Sequence, residues 1–225
     1  MASTRPEPGT FAALLSAADR EALAGLGGTR AFATGERLMH QGEPGDRVVV
    51  LLEGHVKASH VDVRGREVVL SFRGPGDVLG ELTFTHGEPR SASTTAIEPV
   101  SAQVLTSAAF RGFLVQQPTA ALTLIDVISR RFRYANDARV QFGDLDTSGR
   151  LAARLLELAD RYGDPVADGI RIRLPVTQAD LGSWTASSRA GVAEALRSMR
   201  EQGWITTERR RITLLDVEAL TRRTG

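Results

Sequence analysis

Short runs of strand-forming residues alternate with turn-forming residues from Arg30 to about Thr106, and this pattern constrains the fold more than any other feature of the chain. Glycines recur at the turns, where a positive φ angle is repeatedly needed. Several short strands at this spacing predict an antiparallel sandwich or barrel of the jelly-roll type, called the β-roll below. The strand-like runs are Val48–Leu52, His55–Val63, Glu67–Phe72, Ser93–Ile97 and Val100–Leu105.

The strand pattern stops after Ser107, and the residues that follow favour helices. Ala108–Gln116 predicts a short helix, and Pro118 suits the first turn of a long one, because its missing N–H costs little there. The long helix carries apolar residues at alternating steps of four and three, and Arg139 fills one step. These apolar residues are Ala121, Ile125, Ile128, Phe132, Ala135 and Phe142. These six residues form an apolar seam, which either packs on the protein's own core or pairs with a copy of itself. The length of the helix favours a parallel homodimer through residues 118–143.

The polar, glycine-flanked segment Gly143–Gly149 interrupts the helical pattern and predicts a hinge. It also suits a helix stop followed by an N-cap at Asp146 or Ser148, and the two roles are compatible. We therefore predict an α+β protein with a β-roll domain over residues 1–117, a dimer helix over 118–143, a hinge over 144–149 and a C-terminal domain over 150–225.

The segment Gly80–Ser93 combines residues that suit a sugar phosphate. The Arg90 guanidinium offers a rigid fork of donors that matches phosphate oxygens, and Ser91 adds a hydroxyl beside it. Glu81 is an acceptor that suits a sugar hydroxyl. The alternative is an ordinary surface loop in which Arg90 pairs with Glu81 or Glu88.

The C-terminal domain carries two helix signals in close succession, followed by a basic hairpin. Thr177 and Asp180 resemble a capping pair that starts a helix at Gln178, and a second helix is predicted to start near Ser187 or Ser188. The following segment, Trp204–Leu215, reads as a β-hairpin with a triply basic turn. An ordinary αα-hairpin explains the two helices alone, whereas the basic hairpin favours a winged helix-turn-helix that binds DNA. The DNA-binding residues predicted on this basis are Thr177, Gln178, Ser187, Ser188, Arg189, Glu194, Arg209, Arg210 and Arg211.

The pattern G-E-L-x(6)-P-R-S-A resembles the phosphate-binding cassette of cyclic-nucleotide-binding domains, and the order of all the parts resembles the CRP/FNR family of bacterial transcription regulators. The resemblance implies that Arg90 pairs with the cyclic phosphate, Ser91 donates to it and Glu81 accepts from the ribose 2′-hydroxyl. Gly80 then allows close backbone approach, and Leu82 belongs to the same motif. The implied effector is cAMP, with cGMP or no ligand as alternatives, and the implied partners are double-stranded DNA, a second copy of the chain and RNA polymerase.

Two departures from the family pattern bear on specificity. At the positions that contact the ligand's base in the family, this chain has Ala135, which cannot hydrogen-bond, and Asn136, which can both donate and accept. In the recognition helix, Arg189 matches the family and is predicted to read guanine, whereas Glu194 stands where a second basic residue is usual. We therefore do not expect the usual half-site of the family.

Composition excludes several kinds of site. The chain has no Cys, which rules out disulfides and Cys-ligated metal centres, and its four His show no paired metal spacing. No long apolar run suggests a membrane span, so a cytoplasmic protein is expected. We find no motif of an enzyme and expect none. Two rival interpretations remain open: a constitutive regulator or one gated by another ligand, and a cyclic-nucleotide module that acts on a protein partner.

Overall fold

The computed structural model of the chain describes residues 6–83, 88–208 and 210–224. The chain divides into two compact units, Met1–Ala135 and Asn136–Gly225. The first unit is built mainly from antiparallel strands and the second combines helices with a small sheet, so the predicted α+β class is confirmed. Within the described ranges, no helix combines the length and apolar character that a bilayer span requires.

The N-terminal unit contains the predicted β-roll. Two four-stranded antiparallel sheets have the strand orders β1-β8-β3-β6 and β2-β7-β4-β5. Two short helices, α1 (Phe11–Leu14) and α2 (Ala17–Ala24), precede them. The strands are β1 (Gly28–Phe32), β2 (Arg37–Met39), β3 (Arg47–Glu53), β4 (Val56–Val61), β5 (Glu67–Arg73), β6 (Val78–Leu79), β7 (Ser93–Ala96) and β8 (Val100–Thr106).

Strand β3 is apolar without alternation because it is buried on both faces. Since successive side chains of a strand point to opposite faces, Val48 and Val50 join a cluster with the helices, while Val49 and Leu51 join a cluster within the roll. The first cluster also contains Phe110 from helix α3 (Ser107–Gln116). One strand therefore links the core of the roll to the helices that cover it.

Helix α4 (Pro118–Asp144) begins in the first unit and ends in the second. Its residues Ala120, Leu124 and Val127 are buried in the cluster with α3, at the spacing of one helix face. Ile128 is partly buried against the same cluster, so it is not a free member of the predicted seam. Four exposed apolar residues of α4 instead lie along one face and form a stripe, namely Leu122, Ile125, Phe132 and Val140.

The C-terminal unit is a winged helix-turn-helix, as predicted. Its sheet has the order β11-β12-β10-β9, and the capping box between Thr177 and Asp180 starts α6 at Gln178. Two residues, Leu145 and Asp146, separate α4 from α5. The elements are α5 (Thr147–Tyr162), β9 (Gly163–Val166), β10 (Gly169–Ile172), α6 (Gln178–Trp184), α7 (Arg189–Glu201), β11 (Ile205–Glu208), β12 (Arg211–Leu214) and α8 (Val217–Arg222).

A charged clamp fastens the N-terminal segment to the β-roll. The His55 ring lies between two carboxylates: its Nε2 is 2.9 Å from Glu7 Oε1, and its Nδ1 contacts Glu98 Oε1. Because a carboxylate only accepts, both ring nitrogens must donate, and His55 is an imidazolium. Burial lowers the pKa of His55, but the hydrogen bonds and charges of Glu7 and Glu98 outweigh it and raise the pKa from 6.5 to about 9.

Because the clamp depends on a protonated His55, we expect the N-terminal unit to lose stability in alkaline solution. The protonated His55 ring stabilises the folded state fully at pH values below its unfolded pKa of 6.5. This stabilisation is lost as the pH rises through the folded-state pKa of about 9. We expect wild type to unfold at a temperature about 5 °C above His55→Gln at pH 6, and this difference to vanish near pH 10. Calorimetric scans across this range measure it. The exposed His40 gives the control, since His40→Gln should follow wild type, and a pH-independent difference for His55→Gln would contradict the assignment.

Candidate ligand cassette and nucleic-acid interface

Gly80 follows β6 directly and has a φ angle of 80°, a conformation that L side chains rarely adopt. A Cβ atom placed there would overlap Arg90 Nη1 and would lie 2.9 Å from the Arg47 carbonyl oxygen. The positive φ angle and the nearby Arg47 carbonyl therefore both favour glycine at this position. Within the protein, the Arg90 guanidinium lies against this position, and the predicted close approach of Gly80 to a ligand stays a prediction.

The Arg90 guanidinium is buried, with 4% of the side chain exposed. Its Nη1 donates to Thr83 Oγ1 at 2.9 Å and to the Gly80 carbonyl at 3.3 Å, and its Nη2 donates to the Arg47 carbonyl. These acceptors are neutral. Among the described residues, the carboxylate within ion-pair distance is Asp46, at 3.8 Å on a side chain that is 69% exposed.

The charge of Arg90 is therefore weakly compensated. Burial lowers the pKa of Arg90, and the Asp46 charge opposes this without cancelling it. A buried cation is costly unless an opposite charge approaches it. The ordinary surface loop predicted as the alternative, with Arg90 paired to Glu81 or Glu88, does not describe this arrangement. The position is instead suited to an anion.

Glu81 is held by a residue that sequence reasoning missed. Arg131 of α4 donates from Nη1 to Glu81 Oε1 at 2.8 Å and from Nη2 to Asp77 Oδ1 at 2.7 Å. Burial lowers the pKa of Arg131, but the charges of Glu81 and Asp77 outweigh it and raise the pKa. The available signal was its position four residues after Val127, on the buried face of α4, where a charged residue needs a buried partner.

The structure brings Gly80, Glu81 and Arg90 together, and the other predicted ligand residues have exposed side chains. Leu82 is exposed, and Ser91 is exposed while its carbonyl oxygen lies 3.0 Å from His60 Nδ1. Ala135 and Asn136 lie four and five residues after Arg131 on α4, and both are exposed. Residues 84–87, which complete the segment, lie outside the described part of the chain.

The helix-turn-helix presents Arg189 as the first residue of α7, exposed to solvent. Ser188 caps this helix by accepting from the Gly191 N–H at 3.1 Å. Ser187 donates internally, to the Thr185 carbonyl at 3.2 Å and to Thr147 Oγ1 at 3.4 Å. Of the three predicted residues at this turn, Arg189 therefore has the freest polar group.

Glu194 lies on the exposed face of α7 and is paired with a residue that sequence reasoning missed. Both of its carboxylate oxygens lie 2.6 Å from Arg197 Nη2. The hydrogen bond and charge of Glu194 raise the pKa of Arg197. The signal was the spacing of three residues, which places side chains together on a helix surface. The carboxylate is thus partly neutralised before any nucleic acid approaches.

The wing is the hairpin of β11 and β12, in which Glu208 lies opposite Arg211 in the antiparallel register. Arg210 in its turn has a φ angle of 60°, a conformation that costs about 1–2 kcal/mol for a residue with a Cβ atom. Arg209 lies outside the described residues. Thr177 and Gln178 of α6 line a cleft of about 320 Å³ together with Arg210 and Arg211 of the wing. The wing cations and the start of α6 therefore share one surface.

Known proteins match both units. The cyclic nucleotide-binding domain family matches residues 29–117, and the Crp-like helix-turn-helix domain family matches residues 149–223. A CRP-like cAMP-activated global transcriptional regulator from Mycobacterium tuberculosis is 33% identical over 85% of this chain and 86% of its own length. The cAMP-activated global transcriptional regulator CRP of Salmonella typhimurium is 29% identical over 79% of this chain and 84% of its own.

Solved structures agree with these sequence matches. A CRP-family transcriptional regulator from Thermus thermophilus superimposes with a TM-score of 0.74 at 27% identity, covering 87% of this chain and 96% of that one. FixK2 from Bradyrhizobium japonicum has the same fold, with a TM-score of 0.78 at 22% identity over 89% and 98% of the two chains. On its sequence, its two domains and its fold, the chain belongs to the CRP/FNR family of cyclic-nucleotide-binding transcriptional regulators.

Proposed function

We propose that this protein is a homodimeric, sequence-specific DNA-binding regulator of transcription whose activity responds to cAMP. The observation that carries the proposal is the buried Arg90 guanidinium, whose closest described partners are neutral oxygens. A cyclic phosphate supplies the missing charge and matches the planar fork of donors. The names of the relatives, which include cAMP-activated regulators, support cAMP as the nucleotide.

The remaining contacts with the nucleotide follow from the chemistry of the cassette. Glu81 gives one oxygen to Arg131, and a carboxylate has further lone pairs with which it can accept from the ribose 2′-hydroxyl. Ser91 is exposed and offers a hydroxyl to the phosphate. We retain Asn136 as the group that hydrogen-bonds the base, while Ala135 contributes no hydrogen bond there.

Replacing Arg90 tests the ligand site. Calorimetric titration of cAMP and of cGMP into wild type should give binding, with cAMP tighter. Arg90→Leu should weaken cAMP binding by about a hundredfold or more, because hydrogen bonds to a charged group contribute about 1.5–3 kcal/mol each.

Arg64, on the turn between β4 and β5, provides the matched control. It is an exposed arginine, so Arg64→Leu should bind cAMP as wild type does. Equal heats from wild type and Arg90→Leu would overturn the assignment of the cassette. The absence of heat from either nucleotide with wild type would favour the rival in which another ligand, or none, controls DNA binding.

DNA binding follows from the exposed Arg189 and the wing cations. Arg189 at the start of α7 is proposed to read guanine through O6 and N7 in the major groove. The wing residues Arg210 and Arg211 contact phosphates, which set affinity and salt dependence without reading sequence. Arg210 occupies a strained backbone position where glycine is sterically favoured, and a contact with phosphate would compensate for this strain.

Two variants separate base reading from phosphate contact. The probe is a duplex selected by wild type from a random-sequence pool, compared with a scrambled duplex at fixed salt. Arg189→Ala should weaken binding to the selected duplex by about 10- to 100-fold and leave binding to the scrambled duplex nearly unchanged. Arg210→Gly should weaken both duplexes alike, reduce the salt slope by about one per subunit and raise the unfolding temperature. If neither variant changes DNA affinity, the winged helix acts on a protein partner instead.

The homodimer is proposed to form through the exposed apolar stripe of α4. Ile125 is 60% exposed and Phe132 is 66% exposed in the single chain. Asn136 lies four residues after Phe132, along the same stripe. Such a stripe on a long helix is stabilised by a copy of itself, and a polar Asn within it fixes the register of the two helices. A two-fold dimer also places two copies of α7 for adjacent major-groove sites.

Truncation of the stripe should dissociate the dimer. Phe132→Ala in both copies should raise the dimer dissociation constant by about tenfold or more, since burying an aromatic side chain contributes about 3 kcal/mol. Sedimentation velocity over a concentration series measures the shift. Arg130→Ala truncates an exposed side chain on another face of α4, where Arg130 pairs with Asp126 at 2.7 Å, and should leave the dimer intact. Equal dissociation constants for the two variants would exclude this surface.

A further inference from the structure

The C-terminal unit contains a buried arginine, Arg154. The Arg154 side chain, on α5, is 10% exposed. Its guanidinium carbon lies 4.5 Å from the ring centre of Phe142 and 4.4 Å from the ring centre of Trp184. Its Nη1 donates to Glu157 Oε2 at 2.7 Å, which compensates the charge. The guanidinium is thus in contact with two aromatic rings and one carboxylate.

This chemistry is specific to arginine. A planar guanidinium stacks on aromatic faces while its edge donates to a carboxylate, whereas the ammonium of lysine is a compact point charge. Burial of such a group without its partners is costly. Arg154 therefore holds the two rings as well as being held by them.

The two rings belong to helices with different roles. Phe142 lies in the last turn of α4, the helix that carries Arg131 and the exposed stripe. Trp184 is the last residue of α6, and the turn to the recognition helix α7 follows it. Leu145 and Asp146 join α4 to α5 along the chain, and the contacts of Arg154 add a side-chain connection between the end of α4 and the end of α6.

We propose that Arg154 is a positioning residue that couples the end of α4 to the helix-turn-helix, so that a displacement of α4 is transmitted to α7. This inference rests on the proposed function, in which ligand binding changes DNA affinity. It also assigns Phe142 to this contact, although the sequence pattern placed that residue in the dimer seam. A side-chain contact that has two discrete arrangements can bias both the ligand-binding equilibrium and the DNA-binding equilibrium. Coupling energies between two sites typically change the affinity at one site about 5- to 150-fold when the other site is occupied.

Phe142→Ala tests the inference in the full-length protein, because it removes one ring and leaves Arg154 with Trp184 and Glu157. The measured quantity is the ratio of dissociation constants for the selected duplex without and with saturating cAMP. We expect the ratio to fall about fivefold or more, while the affinity for cAMP and the dimer dissociation constant stay as in wild type. Phe142→Tyr keeps a ring and should restore the ratio. Asp137→Asn, at an exposed position of α4 outside the apolar stripe, should also leave it unchanged.

The outcomes separate this inference from the proposed function. An unchanged ratio for Phe142→Ala overturns the coupling role, and so does dissociation of its dimer, which would return Phe142 to the seam. If cAMP leaves the DNA affinity of wild type unchanged, the proposed gating fails. The coupling is then tested by DNA affinity without ligand, which Phe142→Ala should change about fivefold or more relative to Asp137→Asn. Equal affinities of these two variants would overturn the inference on its own.

Discussion

Burial of guanidinium groups is the constraint on which the functional parts of this protein depend. Water solvates an arginine well, so a buried one needs acceptors, opposite charge or aromatic faces. Arg131 is compensated by Asp77 and Glu81, and Arg154 by Glu157 and two rings. Arg90 has mainly neutral oxygens. The same side chain is therefore structural where its charge is compensated within the protein, and suited to a ligand where it is not.

The fold was predictable from the sequence where local patterns and tertiary contacts agree. Turn residues marked β3, β4, β5, β7 and β8, and the pair Thr177 and Asp180 marked the start of α6, because each signal acts within a few residues. The strands β1, β2, β6 and β9 were missed. β6 is two residues long, and such a short strand exists only because β3 supplies its partners. Its place in the sheet is a long-range property that no local pattern carries.

The candidate site was predictable in its residue types but not in its internal pairings. The cassette residues Gly80, Glu81 and Arg90 follow from one contiguous segment. Arg131 lies 50 residues beyond Glu81, so its contact depends on the packing of α4 against the β-roll. For the same reason, the predicted apolar seam of α4 combined residues of two helix faces. Residues of adjacent faces both recur at steps of three and four, so the sequence pattern does not distinguish them. Only the packing shows that Ile128 lies against the core cluster while Ile125 is exposed.

Helix α4 contacts both the core of the β-roll and the cassette through one face, and this makes it the natural element to respond to a ligand. Its buried face packs on the roll, and Arg131 joins the cassette on that face. The carboxylate that we propose for the ribose is the one that holds Arg131, so a bound sugar would share an acceptor with the helix. A ligand shifts an equilibrium only through its different affinity for the two states. Sharing Glu81 provides such a difference, because any arrangement of α4 that moves Arg131 changes the acceptor that the ribose would find.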